Sequence, residues 1–455
     1  MRKFIAITMT LLILSNAYLL YSNYSLKKDV LQEQTTSTPK KKNFMSMMIE
    51  TEAGSGKYQV SSSNTWPTDG YVFNSELSKC ENESKLSWDD TNKKVVMEGN
   101  VSDKCYVYFD VYVAPAYHEV CNDNSISCYI AKMYTGTQGN NNIYYHNGTI
   151  KNSEGTIIDA TDKSYRFSGA NPNNYVCFGS TSSTCPNDNL YRIIGVFTNE
   201  NHGQENKHLV KLIKSDYANS NLLGTDGAYT TYTYSKNSES TYKGSLASIN
   251  RYYWSGTGIS NTWSISKLQL SNLNVNFLNN LGSWTAKINN VNWKVGGNYY
   301  SYIKKVIPSI TYKNEIKDID IGQNSTDGKI TSDLMKIGLM YASDYGFAAE
   351  PSAWSTTLDN YSQSSVTSVN WMYMGLGEWT ITRNSGQSEQ DYSDSSAYYI
   401  SSYGYVDDDI TNYLYFAIRP NFYLDSSVQY SSGSGTSTDP IRIKLWYLFQ
   451  GIFFL

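Results

Sequence analysis

The chain has 455 residues, a formal net charge of -4 and only 17% charged residues, so no broad basic surface speaks for DNA or RNA as a partner. Hydrophobic residues make up 40%, with 41 tyrosines and 10 tryptophans, which excludes general disorder and leaves room for two or three domains with aromatic cores.

Arg2 and Lys3 precede an uncharged stretch, FIAITMTLLILSNAYLLYSNYSL, that Lys27 and Lys28 close. At 1.5 Å per residue it is long enough to cross a bilayer core of about 30 Å. Residues 1–28 are therefore expected to be a transmembrane signal-anchor, placing the rest of a single-pass chain outside the cell membrane. The small residues Ser15-Asn16-Ala17 keep the alternative of a cleaved signal peptide and a secreted product. Residues 29–45, with a Thr and Pro run and three consecutive lysines, read as a polar linker.

Six cysteines fall in close sequential pairs, Cys80 with Cys105, Cys121 with Cys128 and Cys177 with Cys185. An even count in an exported chain predicts disulfides, whose connectivity spacing alone leaves open. No CxxC motif occurs, and His118, His146, His202 and His208 are scattered, so no metal site is expected.

A small β-rich module is predicted over 46–113. LSW and KKVVM flank DDTN as strands flank a turn, and CYVYFDVYV (105–113) has the composition of a central strand. Residues 114–186 show little periodicity and read as a loop-rich connector or insertion. From residue 187 an α+β domain begins. LYRIIGVF (190–197) and HLVKLIKSD (208–216) predict a hairpin. WSISKLQLSNLNVNFLNNL (263–281) predicts a helix with a stripe of Leu270, Leu273, Phe277, Leu278 and Leu281, started by Ser264 or Ser266. KIGLMYASDYGFA, WMYMGLGEWTITR, SSAYYISSYGYVDDD and YLYFAIRPNFYL follow as strands or ordered loops, with 441–455 as a closing strand or hydrophobic tail.

In this order the motifs resemble DUF6273, a family of bacterial surface-associated domains of unknown function, over roughly 187–440. That family looks related to the C-type-lectin-like architecture. The region around YVFNSELSKCENESKLSWDDTNKKVVM resembles a module found ahead of such domains in exported Firmicutes proteins. The resemblance implies an α+β fold: a C-type-lectin-like C-terminal domain behind a small β-rich module and an N-terminal transmembrane helix. It does not supply a calcium-dependent sugar site, because Glu350-Pro351-Ser352 departs from the EPN pattern. Asp407-Asp408-Asp409 reads as a solvated turn.

No nucleophile motif, phosphate loop or cofactor fingerprint occurs, and no catalytic residue or cofactor is assigned. Glu378 and Asp344 are the carboxylates that a secreted carbohydrate-active enzyme would need to bring together. Aromatic residues crowd the C-terminal half, and Trp354, Trp371, Tyr373, Trp379, Tyr392 and Tyr403 are the candidate binding residues, since exposed rings stack on sugars or fill interface pockets. The loops 352–369 and 382–396 are the expected contact surface. Arg419 and Pro420 are expected to organise a late sheet element at an edge or bulge, with Arg419 turned inward toward loop carbonyls or a carboxylate such as Asp344. The expected function is a non-enzymatic extracellular surface protein, binding or adhering through aromatic loops to a cell-wall glycan, a host glycan or a surface protein. A structural cell-envelope protein is the first alternative and a secreted carbohydrate-active enzyme the second.

Overall fold

The computed structural model describes residues 44–100, 102–198, 202, 207–256, 260–296, 303–317, 331–384 and 396–444. The expectations for the 1–28 anchor, for Tyr392 and for the tail beyond residue 444 lie outside these residues. Among the described residues no helix is long and apolar enough to cross a membrane. The chain divides into two compact units, Met1–Pro115 and Ala116–Leu455.

The first unit is all β: β1 (Phe44–Glu50), β2 (Tyr58–Val60), β3 (Tyr71–Cys80), β4 (Lys85–Asp89), β5 (Lys94–Glu98) and β6 (Lys104–Val111). Its four-stranded sheet runs β2-β1-β6-β3, so the CYVYFDVYV run is central, as its alternating large residues predict. β6 pairs parallel with β1 and antiparallel with β3. The predicted hairpin around DDTN is present, with Lys85 opposite Glu98 and Asp89 opposite Lys94. Met47, Val107 and Phe109 are its buried centre, and Phe109 meets Trp66, Phe73 and Trp88 with ring centroids 5.6–6.0 Å apart. The expected linker ends earlier than read, because Phe44 and Met45 already belong to β1.

The second unit mixes helices and strands. Its strands are β7 (Ile143–Tyr145), β8 (Tyr165–Phe167), β9 (Tyr175–Cys177), β10 (Leu190–Phe197), β11 (Leu209–Lys214), β12 (Tyr229–Ser235), β13 (Ser248–Tyr252), β14 (Val291–Lys294), β15 (Thr331–Met335), β16 (Ile337–Gly338), β17 (Glu378–Arg383), β18 (Ser396–Ile400), β19 (Val406–Ile410), β20 (Asn421–Tyr423), β21 (Tyr430–Ser432) and β22 (Arg442–Ile443). The main sheet runs β16-β20-β11-β10-β8-β7, with β9 also on β10. β10 and β11 form the predicted antiparallel pair, and all but one of their residues are buried.

Residues 143–177 supply β7, β8 and β9 to this sheet, which corrects the connector reading. Each strand has only three residues, too few to show a period of two. The helix over 263–281 is present in pieces, Trp263–Ile265, a wide π-helix over Leu268–Phe277, and Leu278–Asn280. Ser266 Oγ accepts from the Gln269 amide at 3.3 Å and starts it. Leu268, Leu273, Phe277 and Leu281 face the core, whereas Leu270 is exposed because the wider winding rotates it off the stripe. KIGLMYASDYGFA yields only β16 and then a helix, Ala342–Ala348, whose first turn is held by the Asp344 carboxylate accepting from the Tyr341 amide at 3.1 Å.

Candidate functional site

YFAIRPNFYL spans two pairings. Ala417 bridges Glu378 at the start of β17, and Asn421–Tyr423 forms β20. β20 lies between β16 and β11, inside the sheet and not at the expected edge. Pro420 is tolerated there because it stands just before the strand and contributes its carbonyl, which accepts from the Lys214 amide at 3.1 Å.

Arg419 turns inward and is 1% exposed. Its Nε donates to Glu378 Oε1 at 2.7 Å and its Nη2 to Glu378 Oε2 at 2.8 Å, with a further bond from Nη2 to the Met372 carbonyl at 2.8 Å. The carboxylate partner is thus Glu378, which corrects the Asp344 expectation. Burial opposes the charge on Arg419, and Glu378 more than offsets it, so the guanidinium sits above its ordinary pKa.

Asp344 belongs to a separate buried network. It accepts from Lys211 Nζ of β11 at 2.6 Å and from Arg166 Nη1 of β8 at 3.2 Å, tying the helix to two sheet strands. Burial raises its pKa, and Lys211 and Arg166 outweigh that and hold it below the usual carboxylate value. Arg166 also donates to Asp162 at 3.0 Å, and His202 Nε2 lies 3.1 Å from the same carboxylate oxygen. Glu378 and Asp344 are therefore ion-paired to different cations under cover, and they do not converge as a catalytic pair.

Of the candidate binding residues, Trp354 and Trp379 are fully buried. Trp354 donates to the Ala349 carbonyl and Trp379 to the Tyr252 carbonyl, so both are core residues and not surface platforms. Sequence cannot separate these roles, because a buried ring with a satisfied N–H and an exposed ring look alike in composition. Tyr403 is 66% exposed and lies parallel to Tyr405 with centroids 6.5 Å apart. The 352–369 loop folds into short helical turns around buried Leu358 and Tyr361. Asp407-Asp408-Asp409 is strand β19, not a turn, with Lys304 Nζ 2.6 Å from Asp407 and 3.3 Å from Asp408. No cluster of metal-ligating side chains occurs among the described residues.

Trp371 and Tyr373 have a different setting. They are mostly buried and line a groove of about 370 Å³ together with Tyr175, Arg192, Asp216, Lys243 and the loop residue Ser437. The Met372 carbonyl between them is the group that Arg419 holds from beneath, so the core ion pair fixes this wall. Tyr373 donates to the Ser402 carbonyl at 2.6 Å, which anchors its ring. Arg192 was legible only as a lone charge in the apolar strand LYRIIGVF. It was not singled out from the sequence, although a charged residue in a buried strand demands partners, and that demand is the signal that could have found it. Burial pulls its pKa down to about 10, and the charge of Arg419 acts in the same direction.

A larger open groove, about 750 Å³, is lined mainly by hydroxyls of residues 180–183, 431–432 and 438, with Trp284. It has one aromatic residue in its lining where the smaller groove has three beside its charged and polar groups, and aromatic residues with convergent polar groups make the better ligand site. The cysteines pair as their sequence order suggests, Cys80–Cys105, Cys121–Cys128 and Cys177–Cys185. No family model, no curated protein and no solved structure matches the chain.

Proposed function

We propose that the chain is a non-enzymatic surface protein that holds a cell-wall or host glycan in the groove walled by Tyr175, Trp371 and Tyr373. The observation that carries this reading is the joining of three aromatic rings, two of them singled out by sequence, in one concave site with hydrogen-bonding groups at its rim. Aromatic faces stack on the apolar face of a pyranose, and a preformed wall limits the entropy lost on binding. The N-terminal apolar stretch read from the sequence as an export signal, and three disulfides, support placement outside the cell. In this reading the second unit is a lectin-like scaffold of the DUF6273 kind, carried at the membrane by residues 1–28.

The test is an oligosaccharide and wall-fragment screen of the detergent-solubilised full chain, with Tyr373→Ala as control. Saturable binding that the substitution weakens at least tenfold, without loss of the cooperative melt, supports the reading. Absence of saturable binding to every fragment defeats it and leaves the structural-envelope alternative.

A further inference from the structure

The groove holds a buried cation that no carboxylate contacts among the described residues. Arg192 is 6% exposed and lies between Tyr175 and Trp371, its guanidinium carbon 4.4 Å and 4.5 Å from the two ring centroids. Its three hydrogen bonds all end on neutral oxygens. Nε donates to Asn174 Oδ1 at 2.8 Å, Nη1 to the Trp371 carbonyl at 3.3 Å and Nη2 to the Pro172 carbonyl at 3.1 Å. A guanidinium carries five N–H donors, so one hydrogen on each Nη is uncommitted among the described residues.

Three other buried cations of this unit are treated differently, while Lys214 reaches Asp188 only at 3.5 Å. Arg166, Lys211 and Arg419 each meet a carboxylate at 3.2 Å or closer. A buried charge is ordinarily paired, and leaving one unpaired opposes folding unless a ligand completes it. Lys243 stands beside Arg192 in the groove, its ammonium 4.5 Å above the Tyr373 ring, and it reaches a neutral carbonyl, that of Thr367, at 3.4 Å. The acid in the wall, Asp216, is already occupied by the Tyr242 hydroxyl at 2.6 Å and by the Tyr217 and Ser245 amides at 2.8 Å. Two cations against one saturated acid leave the lining with one net positive charge.

We propose that Arg192 and Lys243 form an anion subsite, and that the ligand of the groove is an acidic saccharide bearing a carboxylate. The two oxygens of a carboxylate match the two free Nη hydrogens of a planar guanidinium, and one negative charge balances the lining. The sugar ring then lies along the aromatic lining, with Lys243 above the Tyr373 ring. This assignment rests on the glycan reading of the same groove.

The experiment compares carboxylated oligosaccharides, uronate- and sialate-bearing, each beside its methyl ester, on the full chain and on its Arg192→Gln and Lys243→Gln variants. The ester keeps the ring and removes the charge. Expected is at least tenfold weaker binding of the ester, a preference lost in Arg192→Gln and reduced in Lys243→Gln, and weakening of acid binding by added salt. Equal binding of acid and ester overturns the anion subsite and leaves the glycan reading intact. Where no oligosaccharide binds in either form, the glycan reading falls, and glucuronate and acetate decide the subsite by tryptophan fluorescence. A saturable response removed in Arg192→Gln retains it, and no response overturns it. Should Arg192→Gln fail to fold, Lys243→Gln alone carries the comparison, and an unchanged acid preference there overturns the proposal.

Discussion

Arg419 and Glu378 close a bidentate ion pair in the core of the second unit, with N–O distances of 2.7 and 2.8 Å and both side chains almost fully buried. The same guanidinium holds the Met372 carbonyl, so the pair links the β17 and β20 region to the groove wall that carries Trp371 and Tyr373. The guanidinium lies over the ring of Tyr217, which follows β11, at 5.7 Å from its centroid.

Removing one partner leaves the other charged and buried. Glu378→Ala is therefore expected to cost about 3–5 kcal/mol in urea unfolding. Replacing both, as Arg419→Met with Glu378→Leu, is expected to recover most of that loss, since apolar side chains of similar volume need no counter-charge. A double variant as unstable as the single one would show that the Met372 bond, and not the charge pair, supports the wall.

Much of this arrangement was legible in the sequence and part was not. An arginine before a proline in an aromatic run signals a buried organiser, because Pro420 fixes the local backbone and the neighbouring residues are apolar. Its partner was hidden, since Glu378 and Asp344 sit in similar aromatic surroundings and the pairing depends on tertiary packing. The long strands β10, β11 and β6 announced themselves by composition over eight, six and eight residues. β7, β8 and β9 did not, and with them went the evidence that residues 143–177 belong to the main sheet. The candidate tryptophans Trp354, Trp371 and Trp379 are all buried and all donate their N–H groups to carbonyls, so only the groove beside Trp371 sets it apart, and that depends on tertiary packing.

The wall has a second support at Gly375, which adopts φ +85°, a conformation that favours glycine. Its carbonyl accepts from Thr241 Oγ1 at 2.7 Å, and a β-carbon there would collide with the Thr241 carbonyl. Gly375→Ala is expected to lose at least about 1–3 kcal/mol and to weaken ligand binding, because the Met374 carbonyl next to it also holds the Lys243 amide at 3.0 Å. Thermal melting and a binding isotherm check it. An unchanged melt would show that the loop shifts freely.

In the first unit the Cys80–Cys105 bridge joins the end of β3 to the start of β6, in register across the sheet. The buried centre there is small, three residues with half-buried aromatic neighbours, so the cross-link carries a large share of the stability. Cys80→Ser with Cys105→Ser is expected to lower the stability of this unit by about 2–4 kcal/mol. Calorimetry of the full chain should show one transition moving down while that of residues 116–444 stays in place. Equal movement of both transitions would show that the effect of the bridge is not confined to the first unit.

Acid should destabilise the second unit through its histidines. Burial pushes His146 down to about 3 and His202 and His208 to about 4, against an ordinary value of 6.5. Between pH 6.5 and 4 the unfolded chain binds protons that the folded chain refuses, so the stability these groups contribute is present above 6.5 and lost as pH falls through that window. Glu315 acts in the opposite sense. Burial raises it to about 7 from 4.5, so the folded chain keeps a proton that the unfolded chain releases between those values, and stability on its account falls as pH rises. His118 is lowered by burial as well and Glu378 raised, so four histidines against two glutamates predict a net fall in melting temperature from pH 6.5 to pH 4.5. Imidazole resonances of His146 and His202 should show no protonation down to pH 5. A melting temperature that rises on acidification, with the imidazoles titrating near 6.5, would place these rings in water and not in the core.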